Sequence, residues 1–504
     1  MLKQSIHLQS ITDVAADVLI VNLFEGVTKP GGATGAVDEA LGGQISALIE
    51  TGDLTGRFKE TRVLYPFGKL QAKRVLIVGL GDQDEFNLAR ARQVAAIAAR
   101  ATREYKATSL ATIVHGAGIG GLNVEQAAQM LAEGTRLGLY EVKSLKQNQT
   151  PPALTDLIVV EQDAAKHDAI QSGLEAGRII ADAVNFSRDM INEPANILTP
   201  TRLAELATEV ATRHGLGIQV LDEQEMADLG MNALLSVGQG SDQPSKLIVL
   251  SYHGDPNSEE KLALVGKGVT YDTGGYSLKP TASMESMKTD MGGAGSVLGA
   301  MEAIGALKPK RNIVAVIGAV ENMISGNAVK PGDVVVAMNG KSIENVNTDA
   351  EGRIVLADAL HYAISKMGAT QVVNLATLTG AINIALGRAI CGLFTNDSAF
   401  ADELKAAFHR SHERAWEMPM IDDYLKNLRS QTADLKNSGG REGGSITAAL
   451  FLREFVGTTP WVHLDIAAVS RDVDGSNDLN PRGATGFGVR TLVELAFGDR
   501  EGER

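Results

Sequence analysis

Apolar and polar positions along the chain fall into two alternating textures. Short apolar runs bounded by turn residues read as buried strands: DVLIVNLF at 17–24, RVLIVGLG at 74–81, SLATIVHG at 109–116 and DLIVVE at 156–161. Between them lie segments with helical spacing, at 86–105 and in VEQAAQMLAEGTRL at 124–137. Strands and helices in alternation predict an α/β protein with a mostly parallel sheet in this part. A long helical stretch follows, from Ala164 to about Met190, and then INEPANILTP at 191–200, where Thr199 is placed to cap a new helix. The α/β texture then resumes, with strands predicted at 246–252, 261–268, 312–320, 371–378 and 461–467. No internal repeat or low-complexity segment interrupts it.

A chain of 504 residues is too long for one ordinary core, so two domains are expected. The polar, proline-containing stretch QNQTPPALT at 147–155 marks a connector. The predicted organisation is an N-terminal α/β domain at 1–160, a connecting helix at 161–190, and a C-terminal α/β domain at 191–504 with a central mixed sheet flanked by helices.

Charge narrows the function. Lys plus Arg number 47 and Asp plus Glu 61, a net charge of −14, which repels polyanions and makes nucleic acid a poor default partner. The single cysteine, Cys391, excludes an intrachain disulfide and sits in an apolar context as a buried structural thiol. The first residues, MLKQSIHLQS, contain no apolar core of a secretory signal. The longest apolar tract, Val372 to Phe394, is broken by Asn374, Thr377, Thr379, Asn383 and Arg388, so no membrane span is expected. A cytoplasmic protein is the expectation.

Two glycine-rich stretches imitate nucleotide sites. Gly116-Ala117-Gly118-Ile119-Gly120-Gly121 spells GxGxxG, but 54 glycines make chance matches common and the preceding strand comes late in its domain. A tight turn is the better reading. Gly266-Lys267 is not a P-loop, since Lys261 and Gly268 occupy positions that require Gly and Ser or Thr. The histidines spell no zinc signature. His409 and His412 read as a solvated helix face, and His463 as a hydrogen-bonded core residue on a strand.

The chemistry gathers in two places. One is GKGVTYDTGGYSLKP with MKTDMGG, where an apolar strand runs out into Lys267, Asp272, Lys279, Lys288 and Asp290 among glycines. The other is Asn347-Thr348-Asp349-Ala350-Glu351-Gly352-Arg353. In an extended segment Asp349 and Glu351 would share a face, with Gly352 permitting a sharp exit into a helix that begins near Ile354. Carboxylates so close repel unless protons or cations intervene. Four acids suit hard divalent ions, Mn²⁺, Mg²⁺ or Zn²⁺. Two such ions about 3.5–4 Å apart can acidify a shared water and polarise a carbonyl.

These stretches together resemble the cytosol (leucyl) aminopeptidases, which are two-metal exopeptidases. The supporting segments Asn374 to Ala381, His463 to Ala467 and Gly483 to Gly486 follow in that family's order. The resemblance is strong over about 180–495. It implies that Lys267 binds the tighter ion as a neutral amine, with Asp272, Asp290 and Glu351. Asp272, Asp349 and Glu351 would hold the looser one, and Mn²⁺ or Zn²⁺ are the implied metals. Lys279 would stabilise the oxyanion. Arg353, in the vicinity of Leu378, would hold a bicarbonate ion acting as general base. Met287, Thr377 and Gly380 would border the pocket for the first side chain, which suits Leu-like residues. The family's N-terminal domain is macro-domain-like and its assembly a hexamer of two stacked trimers; both are implied here. Tyr271 and Ala468 depart from the family's more usual Phe and Gly, and Tyr271 adjoins Asp272.

The leading expectation is thus a metal-dependent aminopeptidase acting on peptides. Kinship alone suggests a DNA-binding accessory role, which the net charge of −14 disfavours. A metal-dependent phosphoryl hydrolase is the third reading, because acids, lysines and an arginine also suit phosphate.

Overall fold

The computed structural model describes residues 2–147, 154–475, 477–480 and 482–498. Residues 148–153 of the predicted connector lie outside the described residues. The chain divides into two compact units, one of residues 1–182 with 476–481 and one of residues 183–475 with 482–504.

The first unit contains β1 (Lys3–Leu8), β2 (Val18–Phe24), β3 (Thr61–Leu64), β4 (Val75–Gly81), β5 (Ser109–Thr112) and β6 (Asp156–Glu161). They form one sheet in the order β1-β6-β5-β2-β4-β3, parallel except at the β3–β4 pair. Its helices are α1 (Gly32–Leu41), α2 (Gln44–Glu50), α3 (Leu88–Ala101) and α4 (Val124–Gly138). β4 is buried along its whole length, as a continuous apolar run must be when both faces of a parallel sheet are covered. β1 escapes an apolar-run reading because KQSIHL is mixed; it is an edge strand paired to β6.

The predicted strand at 109–116 ends at Thr112, where the chain turns toward the glycine run. Gly116 has φ +84°, and a Cβ there would lie 2.6 Å from the Phe86 ring. A Cβ on Gly120 would meet Gly116 Cα at 2.9 Å. These glycines answer to a tight turn.

The unit boundary falls inside α5 (His167–Asn192). The helices of the second unit are α6 (Pro200–His214), α7 (Glu223–Asp228), α8 (Asn232–Gly238), α9 (Thr281–Met284), α10 (Gly292–Leu307), α11 (Glu351–Ser365), α12 (Gly380–Leu386), α13 (Ser398–Ser411), α14 (Gly444–Arg453) and α15 (Val489–Phe497). Its main strands are β7 (Gly217–Leu221), β8 (Lys246–His253), β9 (Lys261–Asp272) and β10 (Asn312–Asn322). After the short β11 (Val334–Val336) and β12 (Ser342–Glu344) come β13 (Gln371–Ala376), β14 (Cys391–Thr395) and β15 (Ala415–Glu417). Then follow β16 (Leu435–Lys436), β17 (Trp461–Asp465), β18 (Arg471–Asp472) and β19 (Gly483–Ala484). Thr199 does cap α6, accepting a hydrogen bond from Arg202 N at 3.3 Å.

The eight-stranded sheet runs β15-β14-β17-β13-β9-β10-β8-β7. β17, β13, β9 and β10 are parallel, and antiparallel β14 and β8 flank them, so the sheet is mixed as expected. β9 passes through α10 to β10 on one side; α11 then carries the chain back to β13 on the other. Right-handed crossovers in opposite directions put these two helices on opposite faces. The connections diverge at the carboxyl ends of β9 and β13, which is where open α/β sheets hold their ligands.

Candidate active site

The loops beyond those strand ends border a cavity of about 370 Å³. A break in strand alternation assembles its first two residues. Lys267 and Asp272 are five apart, and an unbroken strand would point them to opposite faces. β9 carries a bulge: Val269 pairs with Val320 but Tyr271 pairs with Glu321, leaving Thr270 as the extra residue. The bulge resets the phase and brings Asp272 to the side of Lys267.

Glycines let the neighbouring backbone close in. A Cβ on Gly266 would meet Ala294 Cα at 2.8 Å, and one on Gly293 would meet the Leu375 carbonyl oxygen at 2.0 Å. The start of α10 is thereby wedged against β9 and β13, which delivers Asp290 beneath Lys267. The Lys267 ammonium donates to Asp290 Oδ1 at 2.9 Å and to the Thr377 carbonyl at 3.1 Å, and lies 2.7 Å from Glu351 Oε1. Asp290 Oδ2 is 2.7 Å from the same nitrogen but outside hydrogen-bond geometry. Thr377 Oγ1 donates to Asp290 Oδ1 at 2.7 Å.

The stretch NTDAEGR is not extended. Asn347 Oδ1 accepts Asp349 N at 3.0 Å, a side-chain-closed turn, and α11 begins at Glu351 rather than near Ile354. Asp349 and Glu351 therefore converge from a turn and a helix start, not from one strand face. Gly352 lies inside the helix. A Cβ there would sit 2.5 Å from Lys267 Cε and 2.6 Å from its Nζ, so this glycine makes room for the lysine and not for a sharp exit.

Lys279 lies 2.7 Å from Asp272 Oδ2 and also pairs with Asp349, which is about a third exposed. Asp272 Oδ1 accepts Gly274 N and Asn322 Nδ2, both at 2.8 Å. Asp272, Asp290 and Glu351 are buried and each offers an oxygen within 4.8 Å of the others. Four carboxylates stand against two ammoniums, and of the four only Asp349 is more than slightly exposed. Burial, reinforced by Glu351, pushes Asp272 up to about 6, against the pull of Lys279 and Lys267. Burial likewise raises Asp290 well above the usual range and raises Asp349. For Glu351 burial acts upward, but Lys267 and Lys279 outweigh it and the carboxyl ends below its ordinary value. Burial acts downward on both lysines, and the surrounding carboxylates outweigh it and raise them. Such a charge deficit, on hard oxygen donors, fits divalent cations. A dication beside Lys267 would reverse the direction of its shift and leave an amine free to ligate.

Arg353 is buried beside this cage. Its Nη1 donates to the Asn437 carbonyl at 2.8 Å, while Nε has no hydrogen-bond partner among the described residues. Burial lowers its pKa to about 10 against the opposing fields of Glu351 and Asp465. A buried guanidinium with an idle donor fits a small anion. Asp465, at the end of β17, accepts Leu378 N at 3.2 Å and Thr379 Oγ1 at 2.6 Å, and so holds the loop after β13 in place.

The eleven residues that the resemblance implied for the site line this one cavity: Lys267, Asp272, Lys279, Met287, Asp290, Asp349, Glu351, Arg353, Thr377, Leu378 and Gly380. Lys288 turns away, donating to the Asn192 carbonyl. Tyr271 donates to the Met284 carbonyl at 3.4 Å and not to Asp272. His463 is a core residue, its Nδ1 3.0 Å from Asn374 Nδ2. His412 does not share a helix face with His409; it is the left-handed residue that ends α13. Sequence alone passed over Asn322 and gave Asp465 no role beyond its place in the segment His463 to Ala467. Each is a polar residue closing an apolar strand at its carboxyl end, and that position was the available signal.

A model of the cytosol aminopeptidase family's catalytic domain matches residues 185–493, and that of its N-terminal domain matches residues 20–149. The chain is 42% identical over 491 residues to a probable cytosol aminopeptidase of Alkaliphilus metalliredigens (strain QYMF), covering 97% of this chain and 98% of that protein. It is 45% identical over 467 residues to one from Geotalea uraniireducens (strain Rf4), covering 92% and 93%. Among solved structures it resembles a tomato leucine aminopeptidase mutant, with a TM-score of 0.87, 33% identity and coverage of 99% and 96%. The bottromycin maturation enzyme BotP in complex with Mn is similar at a TM-score of 0.84, with 35% identity and coverage of 96% and 99%.

Proposed function

Since the chain belongs to the cytosol aminopeptidase family, a metal-dependent one, we propose that it releases N-terminal residues, apolar ones such as Leu preferred, from peptides at a two-ion site. The observation that carries this reading is the buried cage of Asp272, Asp290 and Glu351 around two lysines, with too little positive charge of its own. Lys267, Asp272, Asp290 and Glu351 would hold the tighter ion; Asp272, Asp349, through side chain and backbone carbonyl, and Glu351 would hold the looser one. When bound, Mn²⁺ or Zn²⁺ ions would supply Lewis-acid polarisation and an acidified water, and a bicarbonate on Arg353 near Leu378 a general base.

The chain's own residues do the rest. Lys279 keeps its proton, because Asp272 and its neighbours outweigh burial, and presents it to the oxyanion that develops from the scissile carbonyl. The acidic cage receives the free α-amine, which accounts for exopeptidase action. Met287, Thr377 and Gly380 border the space for the first side chain, and an apolar methionine there favours Leu or Met. Asp465 keeps Leu378 and Thr379 in register with this space.

Hydrolysis of Leu-p-nitroanilide before and after complete chelation, with Mn²⁺ added back, tests the reading. Activity is expected to vanish and return; activity indifferent to metal removal would sink it. Acetylating the substrate's amine should abolish turnover, whereas a phosphoryl hydrolase would leave even the free peptide intact. A homohexamer is the assembly that kinship suggests, and light scattering should give six times the 53.2 kDa chain mass. Among the described residues no helix is long and apolar enough to cross a membrane.

A further inference from the structure

The space assigned to the first side chain continues into a basic end of the cavity. Thr377 starts one wall of it. Its Oγ1 donates to Asp290 Oδ1 at 2.7 Å, so this wall begins at the acidic cage. Its methyl group shares a neighbour with Ser470: a Cβ on Gly292 would meet Thr377 Cγ2 at 3.2 Å and Ser470 Cβ at 3.5 Å. Ser470 N donates to the Ile466 carbonyl at 2.9 Å, and the Ser470 carbonyl accepts Thr485 N at 3.0 Å. Those two bonds fix the backbone that leads into Arg471, the first residue of β18. Ala468, Ser470 and Arg471 all line the cavity.

A second wall runs along α12. Gly380 opens this helix, and Asn383, three residues on, shares its face. Gly387 ends the helix at φ +69°, its N–H on the Asn383 carbonyl at 3.1 Å, and Arg388 follows. Gly380, Asn383 and Arg388 line the same cavity. The two walls converge on a pair of cations: burial depresses the pKa of the half-buried Arg471, and the Arg388 guanidinium depresses it further. Among the described residues, neither guanidinium has a hydrogen bond or an ion pair with a carboxylate. Two like charges held together with idle donors in a concave site suit an anion, and guanidinium forks pair bidentately with carboxylates.

We propose that Arg388 and Arg471 form the far end of the pocket for the first side chain, so that the pocket admits an N-terminal glutamate as well as Leu-like residues. This rests on the aminopeptidase reading above and extends its specificity. Met287 and Ala468 offer apolar surface to the methylenes of the glutamate, and the arginines take its carboxylate. Glutamine fills the same space but leaves both cations without a charged partner. A site that loses the partner of its polar groups discriminates more sharply than one that loses a methylene.

The test compares kcat/KM of the Mn²⁺-loaded enzyme for Glu-p-nitroanilide and Gln-p-nitroanilide, with Leu-p-nitroanilide alongside. Glu should exceed Gln about tenfold, and the ratio should shrink as salt rises. In the Arg388→Gln/Arg471→Gln double variant the ratio should fall to one or below. A ratio of one or less in the unaltered enzyme, or a preference for Glu that the double variant retains, overturns the proposal. Should the double variant fail to fold, Arg388→Gln alone, a change at an exposed side chain, should still lower the ratio; an unchanged ratio there overturns the proposal too. Hydrolysis of the Leu substrate without any preference for Glu over Gln removes this specificity and leaves the aminopeptidase reading. No hydrolysis of any of the three removes both.

Discussion

Replacing Gly352 with alanine probes the closest approach in the site. The new Cβ would lie 2.5 Å from Lys267 Cε, whereas ordinary contact begins at 3.4 Å. The lysine end is flexible, so the fold should survive, with the ammonium withdrawing by about 1 Å. Lengthening its 2.7 Å contacts with Asp290 and Glu351 by that distance costs about 1.7 kcal/mol each at an effective dielectric of ~20. Alanine recovers about 1 kcal/mol of helix propensity at this position, leaving a net loss of about 2 kcal/mol. A similar penalty on Lys267 as a ligand weakens Mn²⁺ binding about thirtyfold. Calorimetric titration of Mn²⁺ into the metal-free protein reads this directly, with thermal denaturation alongside. Wild-type Mn²⁺ affinity in Gly352→Ala, with full turnover, would refute the claim that the Lys267 amine must occupy that space.

Other expectations follow from the same geometry. Gly293→Ala puts a Cβ 2.0 Å from the Leu375 backbone oxygen, which cannot rotate away, so little folded protein should be recovered; normal yield and melting would contradict this. Lys279→Ala should retain metal, by elemental analysis, and lose about 10²–10³ in kcat, the scale of a lost oxyanion donor. Glu351→Ala should lose metal and turnover together, and a metal-replete, inactive Glu351→Ala would disprove its bridging role. Burial holds the fully buried His115 and His463 at about 4 and about 3, against an ordinary 6.5. Each is neutral in the fold and gains a proton on unfolding, so their stabilisation is complete above pH 6.5. His115 loses its part as pH falls toward 4, and at pH 5 it has forfeited about 2 kcal/mol. The urea midpoint should therefore drop between pH 7.5 and 5.0, and drop less in His115→Gln; an equal drop in both would count against the burial argument.

Much of the architecture was legible as texture. The apolar runs that became β2, β4, β6, β8 and β9 are buried on both faces, and continuous hydrophobicity is the mark of that environment. β1 was not legible, because an edge strand needs no apolar run. The helix expected at 86–105 closes at Ala101 and continues as a 3-10 turn to Tyr105. Strand ends were the weakest point: β9 runs on to Asp272, past the glycines that looked like its end, and β10 to Asn322. A strand end depends on its partner's register, which no local pattern encodes.

What the sequence alone determined is the set of donors, the acids and lysines crowded between glycines, and the alternating elements that carry them. Side-chain chemistry and periodicity are local properties, and both survive in a linear string. Only the tertiary structure decided which of those groups meet. The bulge at Thr270 turns Asp272 toward Lys267, and Gly352 and Gly293 admit the lysine and the start of α10. Each of these depends on backbone approach between segments far apart in the chain, and that is set by sheet register and packing rather than by any neighbour in sequence.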